Sequence, residues 1–310
     1  MSKSKAAAAP KQPPQPKVVL VTGANRGIGY GIIETLLEKQ SKLRIILTAR
    51  DETLGQNAYN ELAEKYPDEK EHFFFHQLDI TKDESIDELI TWIKTTFKKI
   101  DYLVNNAGVS SKGKKFDEEV YNFTFGTNVF GTINFTEKMI SSDVLNKAGK
   151  IIFLGSLSGC LSRLNNELLI STFKNVKNSD DLFKLAEKFR NSIVNETIEE
   201  EGWCKNTFTV SKIIINTYAK VLGHRRDITK EQLSVYACNP GWVKTEMGGE
   251  HAELTIKEGA ETPVFLIELP DGINKENQGK LFDKCKIASF ESCSQGVEII
   301  AASAFLSLKR

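Results

Sequence analysis

Several features of metal-binding, secreted and membrane-spanning proteins are missing from this sequence. Its five cysteines lie far apart with no CxxC pair, and four histidines occur among 310 residues. Such spacing argues against a disulfide framework and against a zinc site. No apolar run approaches the ~20 residues that cross a bilayer. We therefore expect reduced thiols, a cytoplasmic location, no bound metal and no membrane partner.

An excess of charge of either sign is also absent. Lysine plus arginine number 41, and aspartate plus glutamate also number 41. A neutral chain gives no electrostatic reason for binding to nucleic acid or to an anionic membrane surface. We therefore expect no nucleic-acid partner.

Short apolar runs alternate with apolar stripes at helical spacing. The first run is Val18–Val21, and a stripe through Ile32 and Leu36 follows it. Further runs of the same kind are Leu43–Thr48, Phe73–Leu78, Tyr102–Val104, Lys150–Leu154 and Leu233–Ala237. Such strands, alternating with amphipathic helices, are typical of a parallel sheet covered on both faces. The sequence predicts an α/β fold, with a Rossmann-type doubly wound parallel sheet in a single domain.

Three segments fall outside this alternation. Residues 1–16, rich in Pro, Lys and Ala, are predicted to be a disordered tail; a targeting peptide is disfavoured, because arginine is lacking and the prolines break an amphipathic helix. Residues from about 160 to 205 are predicted to be a helical insertion. Residues 291–310 form an extension with Val297, Ile300 and Leu308 at helical spacing. It either packs on the domain or docks on a partner protein, and both interpretations stay open.

The segment Thr22–Gly29, Thr-Gly-Ala-Asn-Arg-Gly-Ile-Gly, directly follows the first apolar run. Gly23 permits a tight turn, Gly27 lets the backbone approach a pyrophosphate, and Gly29 lets the next helix pack closely on the strand. The N–H groups and the dipole of that helix then face an anion. The segment predicts a bound dinucleotide.

Two arginines bear on which dinucleotide is bound. Arg50 lies 21 residues after Gly29, where an NAD-binding fold places an acid for the ribose hydroxyl, and Arg26 lies inside the loop. Guanidinium groups suit a ribose 2′-phosphate. The alternative is that both arginines are solvated surface charges. We favour NADP(H) as the cofactor.

Further motifs follow in order along the chain. They are Asn105–Gly108 (Asn-Asn-Ala-Gly), Asn128 within Gly126–Gly131, Ser156 and Pro240–Thr245. Together with the glycine-rich segment, they make residues 17–290 resemble the short-chain dehydrogenase/reductase family. The resemblance implies hydride transfer between a nicotinamide nucleotide and a small carbonyl substrate.

Within that family the chain looks most similar to the monomeric NADPH-dependent carbonyl reductases. The shared features are Leu47–Asp51, Gly202–Trp203 and Pro240–Met247, together with the insertion before the active-site helix. In that subgroup the insertion covers the surface that other members use to form tetramers, and it builds part of the substrate pocket. The resemblance therefore implies a monomer.

The resemblance also implies a role for each matching residue. The cofactor site would comprise Gly23, Asn25, Arg26, Gly27, Ile28, Gly29, Arg50, Asp79, Ile80, Asn105, Ala107, Gly108, Lys212, Pro240, Gly241, Val243 and Thr245. Asn128 would hold a water relay, Ser156 would hydrogen-bond the substrate oxygen, and Lys212 would grip the nicotinamide ribose hydroxyls. Taken without their neighbours, Ser156 could be an ordinary strand-end serine and Asn128 an ordinary helix asparagine.

The pattern breaks at Phe208. The family places its proton-donating tyrosine four residues before the lysine, and here phenylalanine stands four residues before Lys212. Hydride delivery to a carbonyl builds negative charge on oxygen, and general acid catalysis there is typically worth ~10²–10⁴-fold. Tyr218 lies ten residues beyond Phe208, some three turns away, and cannot stand in. The substitution conserves volume, so the fold and the nucleotide site are expected to survive it.

Three functions stay open at this point. The first is an NADPH-dependent carbonyl reductase of reduced activity that acts on a ketone or aldehyde. The second is a non-catalytic NADP-binding pseudoenzyme, docked into a larger assembly through its N- and C-terminal extensions. The third is a reductase of an activated double bond, in which the proton goes to carbon. Phe208 favours the second, whereas Asn128, Ser156 and Lys212 favour the first.

Overall fold

Eight strands alternate with ten helices in the computed structural model, which describes residues 16–111, 113 and 115–292. The strands are β1 (Val18–Val21), β2 (Arg44–Ala49), β3 (Phe73–Gln77), β4 (Ile100–Asn105), β5 (Leu145–Leu154), β6 (Ser234–Asn239), β7 (Lys280–Asp283) and β8 (Lys286–Ala288). The helices are α1 (Gly27–Glu38), α2 (Glu52–Lys65), α3 (Asp83–Thr96), α4 (Glu118–Phe125), α5 (Thr132–Ser141), α6 (Glu167–Lys174), α7 (Ser179–Val194), α8 (Thr207–Gly223), α9 (Arg226–Lys230) and α10 (Ile256–Glu268). The predicted α/β class is confirmed.

The strands form one sheet in the order β3-β2-β1-β4-β5-β6-β7-β8. Neighbours from β3 to β7 pair in parallel, and β8 pairs antiparallel with β7. The direction of winding reverses between β1 and β4, which are adjacent. In a doubly wound sheet, ligands bind outside the carboxyl ends of the strands at this switch point. The end of β1 is where the glycine-rich segment begins.

Alternate residues of the central strands enter two separate apolar cores. On β1, Val19 and Val21 belong to the core shared with α1, α2 and α10, while Leu20 belongs to the core shared with α3, α5 and α8. The same alternation places Ile151 and Ile152 of β5 in different cores. Side chains alternate across a strand, so a strand that is apolar throughout requires helices on both faces.

The sequence-based prediction was wrong in missing β7 and β8. Each is short and carries charged residues, so neither gives an apolar run. β5 also begins five residues earlier than predicted, because Leu145 pairs with Ile100 of β4 before a register shift that precedes Lys150. The predictions for residues 1–15 and 293–310 lie outside the described residues.

Lys150 is fully buried within β5. Its ammonium donates to the carbonyl oxygens of Ile267 (2.9 Å) and Leu269 (2.6 Å) and to Oδ1 of Asp271 (2.9 Å). Its Nζ also lies 4.2 Å from the ring centroid of Tyr102. Three acceptors and an aromatic face replace water around the charge. The lysine thereby ties the centre of the sheet to the end of α10.

The predicted insertion contains α6 and α7, and its apolar side is packed against the domain. On α7 the buried residues are Leu182, Leu185, Ala186, Phe189, Ser192 and Ile193. Tyr121 of α4 donates to the carbonyl oxygen of Ala186 at 3.0 Å, and the ring of Phe189 stacks with that of Phe125 at 5.4 Å. α7 is therefore an integral layer over α4 and α8.

Within the described ranges, no helix is long and apolar enough to cross a bilayer.

Candidate functional site

The β1–α1 loop packs directly on the end of β4. Gly23 and Gly27 have φ values of +61° and +59°, a region that favours glycine. A Cβ atom on Gly23 would lie 2.9 Å from Cα of Ala107. A Cβ atom on Gly29 would lie 2.4 Å from Nδ2 of Asn106. Gly23 and Gly29 thus allow an approach of two loops that side chains would prevent.

Two residues not assigned a role from the sequence hold this loop in place. Thr22 Oγ1 accepts the backbone N–H groups of Asn106 (3.0 Å) and Ala107 (2.9 Å). The Asn106 side-chain amide donates to the carbonyl oxygens of Thr22 (2.7 Å) and Gly23 (3.0 Å). The Asn-Asn-Ala-Gly motif predicts roles for Asn105 and Ala107 but none for Asn106, which lies between them. The sequence signal for this contact is a hydroxyl directly after one apolar strand, at Thr22, and an amide directly after another, at Asn106.

The N-terminus of α1 is suited to an anion. Its N-cap, Arg26, makes no side-chain capping bond, and the first turn holds no acidic residue. The N–H groups and the positive end of the helix dipole are therefore open to a negatively charged ligand. Thr245 adjoins this turn, because a Cβ on Gly27 would lie 3.3 Å from its Cγ2. The structure thus brings together the predicted loop residues and Thr245.

The two arginines differ in their surroundings. Arg26 Nη1 lies 2.5 Å from Oε2 of Glu246, in an exposed ion pair. Arg50 is exposed just beyond β2, and its carbonyl oxygen accepts from Nε2 of Gln77 at 2.9 Å. An anion at Arg26 must compete with Glu246. Arg50 is therefore the better candidate for contact with a 2′-phosphate.

The ends of β3 and β4 supply the remaining predicted nucleotide contacts. Asp79 is buried, and its Oδ1 accepts the N–H (3.0 Å) and the hydroxyl (2.7 Å) of Thr81. Ile80 is buried beside it. Asn105 is also buried, and its Nδ2 makes no hydrogen bond within the described structure. A buried donor without a protein partner is the kind of group that a ligand satisfies. These residues, with the glycine cradle, fit a nucleotide.

Lys212 and Phe208 lie one turn apart on α8. The Nζ atom of Lys212 is 5.4 Å from the ring centroid of Phe208 and donates to the carbonyl oxygen of Leu154 at 2.5 Å. Burial lowers the pKa of Lys212 to about 8. α8 begins after Asn206, whose Oδ1 accepts the N–H of Thr209 at 2.8 Å. This cap fixes the orientation of the first turn of α8, and therefore the direction in which Phe208 points.

Ser156 begins a single 3₁₀ turn, Leu157–Gly159, directly after β5. Its Oγ accepts the N–H of Ser158 at 3.0 Å and lies 2.9 Å from the hydroxyl oxygen of Ser158. The side-chain amide of Asn216 donates to the carbonyl oxygens of Ser156 (2.9 Å) and Gly159 (3.1 Å). Asn216, one turn beyond Lys212 on α8, therefore holds this turn, and no sequence motif predicts that role.

Asn128 lies in a π-helical turn, Gly126–Gly131, between α4 and α5. Its Oδ1 accepts the N–H of Val109 at 2.8 Å, and its Nδ2 donates to the carbonyl oxygen of Val109 (2.9 Å) and to Ser211 Oγ (3.1 Å). A Cβ atom on Gly108 would lie 3.3 Å from Oδ1 of Asn128. Asn128 therefore joins the loop after β4 to α8. π turns of this kind are frequent at functional sites.

The loop after β6 carries the last group of predicted site residues. Pro240 precedes Gly241, whose φ is +83° and whose Cβ would lie 2.4 Å from Leu254 Cδ1. Val243 is buried and forms an isolated bridge with Leu254. Trp242 is 54% exposed, with its Nε1 donating to the carbonyl oxygen of Gly248 at 2.8 Å. An exposed indole with a fixed orientation is suited to contact a substrate.

Among the residues whose placement is described, no group of three or more His, Cys, Asp or Glu side chains is arranged to hold a metal ion.

The lowered pKa of Lys212 predicts that stability rises with alkaline pH. Below pH 8 both the folded and the unfolded chain carry the proton, and the folded state bears the cost of burying it. Between pH 8 and the ordinary value of 10.5, the unfolded chain retains a proton that the folded chain releases. The native free energy of unfolding, relative to that of Lys212→Met, should increase by ~2–3 kcal/mol across this interval, at about 1.36 kcal/mol per pKa unit. Urea denaturation of both proteins at pH 7.5 and 10 measures the difference, and an unchanged difference would contradict it.

Comparison with known proteins places this geometry among reductases and dehydrogenases. The family model described as short chain dehydrogenase matches residues 17–167. Carbonyl reductase (NADPH) 3 of Rattus norvegicus is 34% identical over 276 residues, which cover 86% of this chain and 96% of the relative. (+)-Neomenthol dehydrogenase of Arabidopsis thaliana is 30% identical over 299 residues, covering 89% and 98% respectively. The structure of salutaridine reductase from Papaver somniferum has a TM-score of 0.76 at 27% identity and covers 87% of this chain and 100% of that one.

Proposed function

We propose that this chain, an oxidoreductase that belongs to the short-chain dehydrogenase/reductase family, binds NADP(H) and transfers hydride from NADPH to a ketone or aldehyde with slow turnover. The observation that carries this proposal is the position of Ser156. It lies in a turn held by α8, the helix that also presents Lys212 and Phe208. A hydrogen-bond donor for a carbonyl oxygen and an amine for a ribose are thus both positioned by α8.

Four features of the site support the binding of a phosphorylated dinucleotide. The glycine cradle, the open N-terminus of α1 and the unpaired Asn105 amide suit a nucleotide, and Arg50 offers a cation beyond β2. The relative from Rattus norvegicus is named for NADPH. The backbone at Gly27 and the N-terminus of α1 would face the diphosphate, and Arg50 would face the 2′-phosphate.

The reaction requires that residues of the site stabilise negative charge on the substrate oxygen and that a proton reach that oxygen. When bound, NADPH supplies the hydride for the carbonyl carbon. Ser156 donates a hydrogen bond to the substrate oxygen, where negative charge develops, and Lys212 adds a nearby positive charge. Phe208, which we place at the position of the family's tyrosine, has no proton to give. Turnover therefore depends on a weaker proton route and is slow.

The Phe208 side chain also supports a second candidate function. A chain that binds NADP without turning over a substrate would serve as a structural or docking protein in a larger assembly. Partners for its N- and C-terminal extensions would then be the physiological ligands. This candidate requires NADP binding together with a complete absence of NADPH oxidation.

One experiment separates the two candidates. Binding of NADPH to the purified full chain is first confirmed by quenching of tryptophan fluorescence. NADPH oxidation is then followed against a panel of ketones, aldehydes and quinones. We expect slow but enzyme-dependent oxidation with at least one panel member. Binding without oxidation by any of them would favour the docking protein, and a failure to bind NADPH would contradict both candidates.

Arg50→Ala should shift the preference between the two nicotinamide nucleotides. Hydrogen bonds to charged groups contribute ~1.5–3 kcal/mol, so we expect NADPH affinity to fall by about 10–100-fold with NADH affinity unchanged. Arg44→Ala is the matched control, because Arg44 begins the same strand at its opposite end. Isothermal titration of each variant with both nucleotides gives the ratio. Equal losses for NADPH and NADH would show that Arg50 does not read the 2′-phosphate.

A further inference from the structure

Ser158 and Ser156 form a pair of hydroxyl groups in the turn after β5. Their Oγ atoms lie 2.9 Å apart, and the N–H of Ser158 donates to Ser156 Oγ at 3.0 Å. A serine hydroxyl has one proton and two acceptor positions. When the Ser158 hydroxyl donates to Ser156, both acceptor positions of Ser156 are used by Ser158. The Ser156 proton is then directed away from Ser158, where it can be donated to a substrate oxygen.

The pair is held rigidly against the active-site helix. Asn216 binds the carbonyl oxygens at both ends of the turn, and Leu157 N–H donates to Oδ1 of Asn239 at 3.2 Å. A Cβ atom on Gly159 would lie 2.5 Å from the carbonyl carbon of Lys212. The two hydroxyls are therefore fixed relative to α8 at the turn that carries Lys212.

Two hydroxyl groups of α8, those of Ser211 and Tyr218, are committed to different bonds. Ser211 Oγ donates to the carbonyl oxygen of Phe208 at 2.7 Å and accepts from Asn128. Tyr218 is buried and donates to Oε1 of Glu137 at 2.7 Å. Ser156 and Ser158, by contrast, both retain partial solvent exposure. A proton that leaves Ser156 can be replaced from water through Ser158.

We propose, on the basis of the proposed function, that Ser158 is a positioning residue that orients Ser156 and returns its proton. As hydride reaches the carbonyl carbon, the π electron pair of the carbonyl moves to oxygen. That oxygen takes the proton of Ser156 Oγ, Ser156 takes the proton of Ser158 Oγ, and Ser158 takes one from water. One hydride and one proton are consumed, and an alcohol and oxidised nucleotide are released. This two-hydroxyl route replaces the phenol missing at Phe208.

The kinetic test compares Ser158→Ala and Ser158→Thr with the native chain, using NADPH and 1-phenyl-1,2-propanedione as the probe ketone. We expect Ser158→Ala to lower kcat by about 10-fold, below the ~10²–10⁴ range of a fully positioned acid, with KM unchanged. The solvent deuterium isotope effect on kcat should increase, because proton return becomes slower. Ser158→Thr keeps a hydroxyl and should restore both values.

A binding measurement separates this role from mere bracing of the turn. NADP⁺ and the ketone cannot react with each other, so calorimetry gives the affinity of the ketone for the NADP⁺-saturated protein. We expect that affinity to weaken only slightly in Ser158→Ala, because Ser156 keeps its proton but loses the hydroxyl that orients it, and to weaken much more in Ser156→Ala. Equal weakening in both variants would overturn the proposal, because Ser158 would then only support the turn.

Repeating the Ser158 substitution in the Phe208→Tyr variant distinguishes failure of this proposal from failure of the proposed function. In Phe208→Tyr a phenol supplies the proton, so adding Ser158→Ala should leave kcat nearly unchanged. If the native chain and Ser158→Ala reduce the ketone at the same rate, the proposal for Ser158 is overturned while the proposed function stands. A native chain that oxidises no NADPH, while Phe208→Tyr does, overturns the proposed function and the Ser158 route together.

Discussion

Phe208→Tyr is expected to raise kcat for NADPH-dependent ketone reduction by about 10²–10⁴-fold, the typical contribution of a positioned general acid. The phenol would be introduced beside Lys212, whose Nζ lies 5.4 Å from the present ring centroid. With its pKa lowered to about 8, Lys212 is still mostly protonated at neutral pH, and this charge favours ionisation of a neighbouring phenol. Initial rates of NADPH oxidation by the native and variant chains provide the measurement.

Two controls make this result specific. Phe208→Leu stays apolar and should remain at the native rate. Phe123→Tyr adds the same hydroxyl to a phenylalanine that is 49% exposed on α4 and should also have no effect. Cofactor affinity should be equal in all four proteins. A Phe208→Tyr chain that binds NADPH but reduces the panel no faster than the native chain would show that position 208 does not face the reacting oxygen.

Gly23→Ala is expected to abolish tight NADPH binding. Its φ of +61° costs an L-residue ~1–2 kcal/mol, and the new methyl carbon would lie 2.9 Å from Cα of Ala107. Because that contact is with backbone, either the β1–α1 loop or the end of β4 must move. We expect NADPH affinity to fall by at least about 100-fold, equivalent to about 2.8 kcal/mol.

Gly126→Ala is the matched control for this substitution. Gly126 has a helical φ of −52°. Apart from its two chain neighbours and the backbone of its own helix, no heavy atom lies within 4 Å of the added carbon. Its NADPH affinity should equal that of the native chain. Denaturation of each variant without nucleotide measures the loss of stability separately from the loss of binding. Native affinity in Gly23→Ala would show that the nucleotide does not depend on this loop.

The sequence was informative where function depends on local geometry. The glycine spacing in Thr22–Gly29 demands a particular turn wherever the chain folds, so the strand, loop and helix that it predicted are present. The parallel sheet likewise followed from apolar strands alternating with amphipathic helices. The roles of individual site residues remain predictions that the substitutions above would test.

What the sequence could not reveal depends on residues that meet across the fold. Asn216 reaches the turn of Ser156 from a position 60 residues later, and nothing near it in the sequence indicates this bond. Because lysine is seldom fully buried, its residue type alone would place Lys150 on the surface. Its burial requires the carbonyl groups at the end of α10, more than a hundred residues away. Such contacts follow from tertiary packing and have no local pattern.

The antiparallel strand β8 bears on how copies of this protein meet. With β8 in place, β7 has a hydrogen-bonded neighbour on each side, and the outermost ladder on this flank is only Lys286–Ala288 long. Lys284 and Lys286 are exposed there. A second sheet arriving edge to edge would find few unpaired backbone groups and two positive charges. This flank is therefore protected against open-ended stacking of sheets, so the protein should resist aggregation through it even at high concentration.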